Sequence, residues 1–329
     1  MSFWKNKKVL ITGTNGFVGG NLTKRLIGKG AKVIALTRNG IKPPSLLTLE
    51  NLVSKIHKVE KGSLLDFNEV NRIVSRNKLD YIFHLAAQPL IEVGHVNPIE
   101  TFDVNIRGTW NLLEAARQNK VKKIVVASTT HVYGDNPNLP YKEEYYPQPS
   151  RPYETSKAAA DLLAQTYSDT YGLEVEIPRF VNLYGPGDFN FSRIVPKVIL
   201  PILKKENPEV WDVGAVRDFL YIDDAIDAYL VLVEKNLPKE KRVRVFNFGS
   251  GKPMEIIKLA QRILRIARDP SLKLVIKGVP EEREKEILKQ YVSVAKAKRL
   301  LGWRPKYTLD EGLKETINWY TKFRGSILV

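Results

Sequence analysis

At 329 residues with 43% hydrophobic content, the chain is long enough for two domains, or for one with a lobe attached, yet no apolar run approaches the ~20 residues that span a bilayer. The absence of cysteine excludes a disulfide framework, thiolate zinc sites and a cysteine nucleophile, and the four histidines, His57, His84, His95 and His131, have no metal-ligand spacing. A formal net charge of +16 would draw in polyanions, but the basic residues are spread along the chain without a helix-turn-helix, RNA-binding or zinc-finger pattern; the expected partner is a small anionic ligand, with no nucleic acid, no membrane and no metal.

Met1-Ser2-Phe3-Trp4-Lys5 carries no apolar signal segment, so a cytoplasmic location is expected. The first predicted element is a buried strand at Val9-Leu10-Ile11, followed by Gly13, Gly16 and Gly19 and then by a helical pattern through Phe17, Val18, Leu22, Leu26 and Ile27. Gly13 would allow a sharp turn, Gly16 would let backbone N–H groups approach an anion, and Gly19 would let the helix pack closely on the strand. The open, positive end of that helix would face a pyrophosphate. A second strand at Lys32–Thr37 completes a strand–helix–strand unit.

Residues 40–45 read as a loop, and Asp66 as the N-cap of a helix with Glu69 three residues on, followed by Val70, Ile73 and Val74. Strands are expected at Tyr81–Leu85 and Lys123–Ser128, with a long amphipathic helix between them carrying Phe102, Ile106, Trp110 and Leu113. The alternation continues through a helix over Ala158–Tyr171 and a strand over Val175–Phe180, which predicts an α/β fold with a parallel sheet covered by helices on both faces. Near Leu183 the pattern changes: Gly185-Pro186-Gly187-Asp188 is a break, and prolines at 186, 196, 201 and 208 make a less regular region. Strands return at Phe219–Ile222 and Val245–Phe248, and from Pro253 onward the chain reads as mostly helical, with turns at Pro270, Gly278 and Gly302–Pro305. The expected division is a dinucleotide-binding domain of 1–182 and 216–249 and a smaller, discontinuous lobe of 183–215 and 250–329.

Tyr153-Glu154-Thr155-Ser156-Lys157 places a phenol and an ammonium four residues apart, on one face of a helix. A phenol with a pKa near ~10 is a poor base at neutral pH, but a neighbouring ammonium and a cationic nicotinamide ring both favour the phenolate, which would take a hydroxyl proton as hydride leaves. Gly13–Gly19, His84–Ala87 and Ser128–His131 all follow predicted strands, where parallel sheets bind ligands, so three strand ends and one helix face are expected to converge on one cleft.

In order along the chain, Thr12-Gly13-x-x-Gly16-x-x-Gly19, His84-Leu85-Ala86-Ala87, Asn105 and Tyr153-x-x-x-Lys157 resemble the extended short-chain dehydrogenase/reductase family, specifically its nucleotide-sugar epimerases and dehydratases. Pro178–Gly187, Arg217–Ala225 and Lys296–Pro305 extend the likeness over nearly the whole chain. The resemblance implies a Rossmann-type doubly wound sheet with a nucleotide-sugar lobe. It implies that Gly13, Asn15, Gly16, Phe17, Val18 and Gly19 line the pyrophosphate site, that Asp66 meets the adenine, and that Leu85, Ala86 and Ala87 flank the nicotinamide side. Thr129 would hydrogen-bond the sugar hydroxyl being oxidised, Tyr153 would be the base, and Lys157 would hold the nicotinamide ribose. Asn182, Arg193 and Arg217 would contact the nucleoside diphosphate. The helices around 102–113 and 158–171 would pair with a second subunit, giving a homodimer.

Thr37-Arg38-Asn39 stands at the end of the second strand, where NAD enzymes usually place an acidic residue; a guanidinium there suits a 2′-phosphate or stacks on the adenine. NADP is therefore expected ahead of NAD, retained through turnover. For the reaction, a sugar-nucleotide 4-epimerase comes first, because Thr129, Tyr153 and Lys157 suffice for it. Phe3-Trp4-x-x-Lys7, His84–Leu90 and Gly187–Pro196 resemble the CDP-glucose 4,6-dehydratase branch, whose chemistry would need His131 as the base at C5. There the family commonly supplies Asp-Glu, Ser-Glu or Asp-Lys, whereas this chain has Thr130-His131. A 4-keto-sugar reductase with a dissociable cofactor and a non-catalytic dinucleotide sensor are the remaining readings.

Overall fold

Alternating side chains of the first strand enter two different cores, and the molecule is built outward from that split. A computed structural model describes residues 2–211, 214–237, 244–278 and 287–328. In β1 (Lys8–Thr12), Val9 and Ile11 join a cluster with Leu22 and Leu26, while Leu10 joins one with Val70, Ile73, Leu112 and Leu113. Both faces of the strand are therefore covered, which is why its run is uniformly apolar.

The first half alternates as its pattern predicts: α1 (Phe17–Gly28), β2 (Lys32–Thr37), the short α2 (Leu46–Leu49), β3 (Lys58–Lys61), α3 (Phe67–Asn77) and β4 (Tyr81–His84). Asp66 does cap α3, accepting from the Glu69 N–H at 3.0 Å, but the Glu69 carboxylate turns to the Ser63 N–H at 2.8 Å and does not return to the cap. Helix α4 (Ile91–Val96) was not anticipated, and the long helix expected after it is α5 (Pro98–Phe102), a π-turn at Asp103–Arg107, and α6 (Gly108–Gln118). The π-turn lets Asn105 reach inward. Then come β5 (Lys123–Val126), β6 (Ser128–Thr129), α7 (Pro152–Tyr171), β7 (Val175–Phe180) and β8 (Asn182–Tyr184).

The proline-rich region corrects one expectation. It folds as a regular helix, α8 (Ile194–Lys204). Pro196 lies in the first turn, where an N–H has no intrahelical partner to lose. Pro201 sits inside the helix, and the burial of Val195, Val198, Ile199 and Ile202 offsets its missing bond. There follow β9 (Glu209–Trp211), β10 (Val216–Arg217), β11 (Phe219–Tyr221), α9 (Ile222–Glu234), β12 (Val245–Phe248), β13 (Met254–Glu255), α10 (Ile256–Ala267), β14 (Val275–Lys277), β15 (Lys289–Gln290), α11 (Leu309–Lys322) and α12 (Arg324–Ile327). The short strands β14 and β15 interrupt what reads as a helical C-terminal part.

The main sheet runs β12-β7-β5-β4-β1-β2-β3, with β6 also pairing β7, and all its pairs are parallel. The chain leaves β1 on one side through β2 and β3 and returns to its other side at β4. This reversal opens a crevice at the carboxyl ends of β1 and β4, where Thr12 stands opposite His84. The remaining strands form three small sheets, β13-β10-β15, β11-β8 and β14-β9, beside that crevice. Among the described residues no helix is long and apolar enough to cross a membrane.

Candidate active site

The turn after β1 leaves no room for a side chain at Gly13 or Gly19. Gly13 has φ +75°, and a Cβ there would lie 2.8 Å from the Ala86 nitrogen; a Cβ on Gly19 would lie 2.1 Å from the Gly13 oxygen. Gly16 is the N-cap of α1 and offers no side chain to it, so the first N–H groups of the helix stay open to the crevice. Asn15 steadies the rim by donating to the Gly40 carbonyl at 2.9 Å.

A chain of hydrogen bonds joins this turn to the next strand end. Thr109 donates to the Asn105 carbonyl, so its oxygen accepts from His84 Nε2–H at 3.0 Å; His84 Nδ1 then accepts from Thr12 at 2.8 Å. The Thr12 oxygen in turn accepts from the Leu85 and Ala86 N–H groups, each at 3.1 Å. Burial pushes the His84 imidazole down to about 3, which keeps it neutral and this order of donors intact. Asn105 clamps the following loop through both backbone groups of Gln88 and reaches Ser156 of α7 at 2.9 Å. Gln88, directly after Leu85, Ala86 and Ala87, is thereby tied to α7 through Asn105.

On α7, Lys157 donates to the Ala127 carbonyl at 2.6 Å, and burial lowers its ammonium to about 8 while Asp161 pulls the other way. Asp161 is itself held by both ends of the buried Arg179 guanidinium at 2.9 Å and by Ser128 at 2.6 Å. Burial pushes the Tyr153 phenol above its ordinary value, and Arg193 is the first group opposing that shift. Lys157 is thus drawn toward the β5 end, and Arg193 is the cation the phenol feels most. Thr129 ends β6 and accepts from the His131 N–H at 3.3 Å, which starts the turn carrying His131. The His131 ring stands edge-on to that of Tyr153, 6.2 Å between centroids.

Glu154 was not singled out from the sequence, where a carboxylate beside Tyr153 reads as part of a solvated helix face. It is fully buried, with Oε1 3.6 Å from His131 Nδ1. Its only sequence signal is its place directly after the tyrosine of the Tyr-x-x-x-Lys motif.

Beside these groups lies one cleft of about 850 Å³. It takes in Gly13, Asn15, Gly16, Phe17, Val18, Gly19, Arg38, Leu85, Ala86, Ala87, Thr129, His131, Tyr153, Lys157, Asn182, Arg193 and Arg217. Asp66 is the exception. Its Oδ1 caps α3, and Ser63, Leu64 and Leu65 line the cleft there. Arg193 bridges the two ends, with its guanidinium 5.9 Å from the Phe17 ring and 3.3 Å from Asp188. Arg217 is buried and donates to the carbonyls of Val216 and Leu288 at 3.0 and 3.1 Å and of Ile287 at 2.5 Å. Among the described residues the basic lining side chains of Arg38, Lys42, Lys157, Arg193, Lys197 and Arg217 face two carboxylates, Glu92 and Asp188, which suits a ligand carrying several phosphates.

A model of the NAD dependent epimerase/dehydratase family matches residues 9–249. Human dTDP-D-glucose 4,6-dehydratase is 30% identical, over 95% of this chain and 90% of its own. Among solved structures, a UDP-glucose 4-epimerase from Thermotoga maritima with UDP-glucose superposes with a TM-score of 0.85 at 30% identity, covering 96% of this chain and 99% of that one. A dTDP-glucose 4,6-dehydratase from Streptomyces venezuelae with NAD bound gives 0.84 at 26% identity, covering 97% and 98%.

Proposed function

The chain belongs to the NAD dependent epimerase/dehydratase family, and from that premise we propose that it oxidises C4 of a nucleoside-diphosphate hexose transiently and completes a 4,6-dehydration. The observation that carries this choice is the position of His131 on the same cleft as Tyr153: a second proton-handling group stands beside the one needed at C4. Epimerisation at C4 has no use for it.

The glycine turn and the open end of α1 fit a dinucleotide's pyrophosphate, with Gly13, Asn15, Gly16, Phe17, Val18 and Gly19 around it and Leu85, Ala86, Ala87 and Lys157 toward the nicotinamide. Bound there, the dinucleotide would take a hydride from C4 and give it back at C6. Thr129 and Tyr153 handle the 4-hydroxyl: Thr129 hydrogen-bonds it and Tyr153 removes its proton. The C4 carbonyl acidifies C5–H, and His131 takes that proton and passes it to the 6-oxygen as the C6–O bond breaks. Solvent protonates C5 and Tyr153 releases its proton, so the net change is loss of one water. Asn182, Arg193 and Arg217 would hold the diphosphate, Arg193 from the lobe of 183–215 and 250–329 and the other two from the domain of 1–182 and 216–249. At the far end, Arg38 and Lys42 line the cleft with no carboxylate on β2, which supports NADP ahead of NAD. Trp110 on α6 and Leu162 and Tyr171 on α7 are 42%, 50% and 55% exposed, the side chains we assign to a homodimer interface.

The test is a proton NMR time course in D₂O with added NAD or NADP and separate UDP-, dTDP-, CDP- and GDP-hexoses. A 4-keto-6-deoxy sugar deuterated at C5 supports dehydration. A new anomeric signal without deuterium in the sugar replaces it with 4-epimerisation, the second reading, which the likeness to the Thermotoga epimerase favours. Neither product with any sugar refutes both.

A further inference from the structure

A fully buried carboxylate costs free energy unless it has a partner, and Glu154 has few. Its Oε2 accepts from the Ser150 N–H at 3.4 Å. Its Oε1 has no hydrogen bond; the nearest side-chain nitrogens are His131 Nδ1 at 3.6 Å and the Arg151 guanidinium at 3.8 Å. His131 Nδ1 is likewise sealed from solvent and without a hydrogen bond, although the ring lines the cleft. Two orphaned polar atoms thus face each other across a gap only slightly longer than a hydrogen bond. The cleft side of the ring is left for a ligand, and bonds of this kind commonly shorten when substrate closes the site.

We propose that Glu154 is a positioning residue for His131: it accepts a hydrogen bond from Nδ1–H and so holds the neutral imidazole in the tautomer whose bare Nε2 faces the sugar. This rests on the reading of His131 as the group that works at C5. The C5 proton moves to Nε2, the ring becomes a cation paired with the Glu154 carboxylate, and the proton leaves on the 6-oxygen as water. The order of side chains explains why sequence spacing hid the pair. Tyr153 turns one way from α7 into the cleft, and Glu154 turns toward the back of the His131 ring. The charged and titratable groups around the pair are Arg151, Tyr153, Lys157, Arg193 and Tyr141. The His131 neighbour holds the Glu154 carboxyl below its ordinary range despite its burial.

The test has two arms. In the first, Glu154→Gln, His131→Ala and the double variant are assayed for dehydration, with ordinary and C5-deuterated substrate. Glu154→Gln should lower kcat about 10-fold or more with KM little changed, raise the C5 isotope effect, and cost nothing further once His131 is gone. A Glu154→Gln enzyme with wild-type kcat, or a full further loss in the His131→Ala background, overturns the proposal. The second arm needs no folded variant at position 154. Nitrogen-15 NMR of the wild-type imidazoles, with His131 recognised among the four histidines by its loss in His131→Ala, should show the proton on Nδ1. A proton on Nε2 overturns the proposal. Failure of the dehydration reading itself would look different: wild-type protein would form no 4-keto-6-deoxy sugar.

Discussion

Adding one methyl group at Gly19 should dismantle the dinucleotide site. The new Cβ would lie 2.1 Å from the Gly13 oxygen and 2.7 Å from its carbonyl carbon, both backbone atoms, about 1.3 Å short of the 3.4 Å at which ordinary contact begins. Neither neighbour can swing aside. Gly13 is pinned by the Leu85–Ala86 backbone, and α1 is packed through Leu22 and Leu26 into the core, so the helix start must back out of the turn by more than an ångström. Overpacking of this kind costs about 3 kcal/mol or more where backbone must yield. Losing one N–H bond to a charged pyrophosphate, worth about 1.5–3 kcal/mol, adds a loss of roughly 10-fold or more in cofactor affinity. Gly28 is the control, a residue of the same helix with nothing within 4 Å of its ideal Cβ. Gly28→Ala should stabilise by about 0.5–1 kcal/mol through helix propensity alone. Urea unfolding with dinucleotide titration by calorimetry, on wild type and both variants, reads both effects. A Gly19→Ala protein that binds dinucleotide as tightly as wild type would refute the reasoning, as would equal effects of the two substitutions.

Because burial lowers the Lys157 ammonium to about 8 and the proposed mechanism needs its charged form at the ribose, kcat/KM should be retained below that pH and lost as pH rises through it. Lys157→Arg should move this alkaline limb upward even as it lowers the plateau, and an unmoved limb assigns it elsewhere. Arg38→Ala should weaken NADP binding about 10-fold or more by removing a charged bidentate donor, and leave NAD nearly unchanged; equal losses for both would mean that the guanidinium only stacks on the adenine. Leu162→Glu should convert a dimer to a monomer in sedimentation velocity, and a monomeric wild type would remove the interface assignment.

Local rules made much of the architecture readable in advance. The uniformly apolar β1, the glycine spacing behind it and the 3.6-residue pattern of α1 each depend on residues within a few positions of one another, and the four-residue step from Tyr153 to Lys157 places them on one face whatever surrounds the helix. Where local signals met a stronger tertiary one, the reading slipped. The prolines at 196 and 201 suggested irregular chain, but the burial of the α8 face holds a helix through both. Asp66 was doubly plausible as cap and adenine partner, and the structure shows one of its oxygens on the cap while the cleft wall beside it is built from Ser63, Leu64 and Leu65.

The sequence by itself determined the parallel sheet, the glycine turn and the placing of Tyr153 and Lys157 on one helix, because periodicity and spacing along one chain encode them. Only the tertiary structure decided which side chains share the cleft and what stands behind them. Glu154 is polar, sits on an ordinary helix and faces a ring 23 positions away at His131, so nothing short of the packed fold could show that it is buried. Burial turns a carboxylate that water would have screened into one that needs a particular partner, and the chain places that partner on another element.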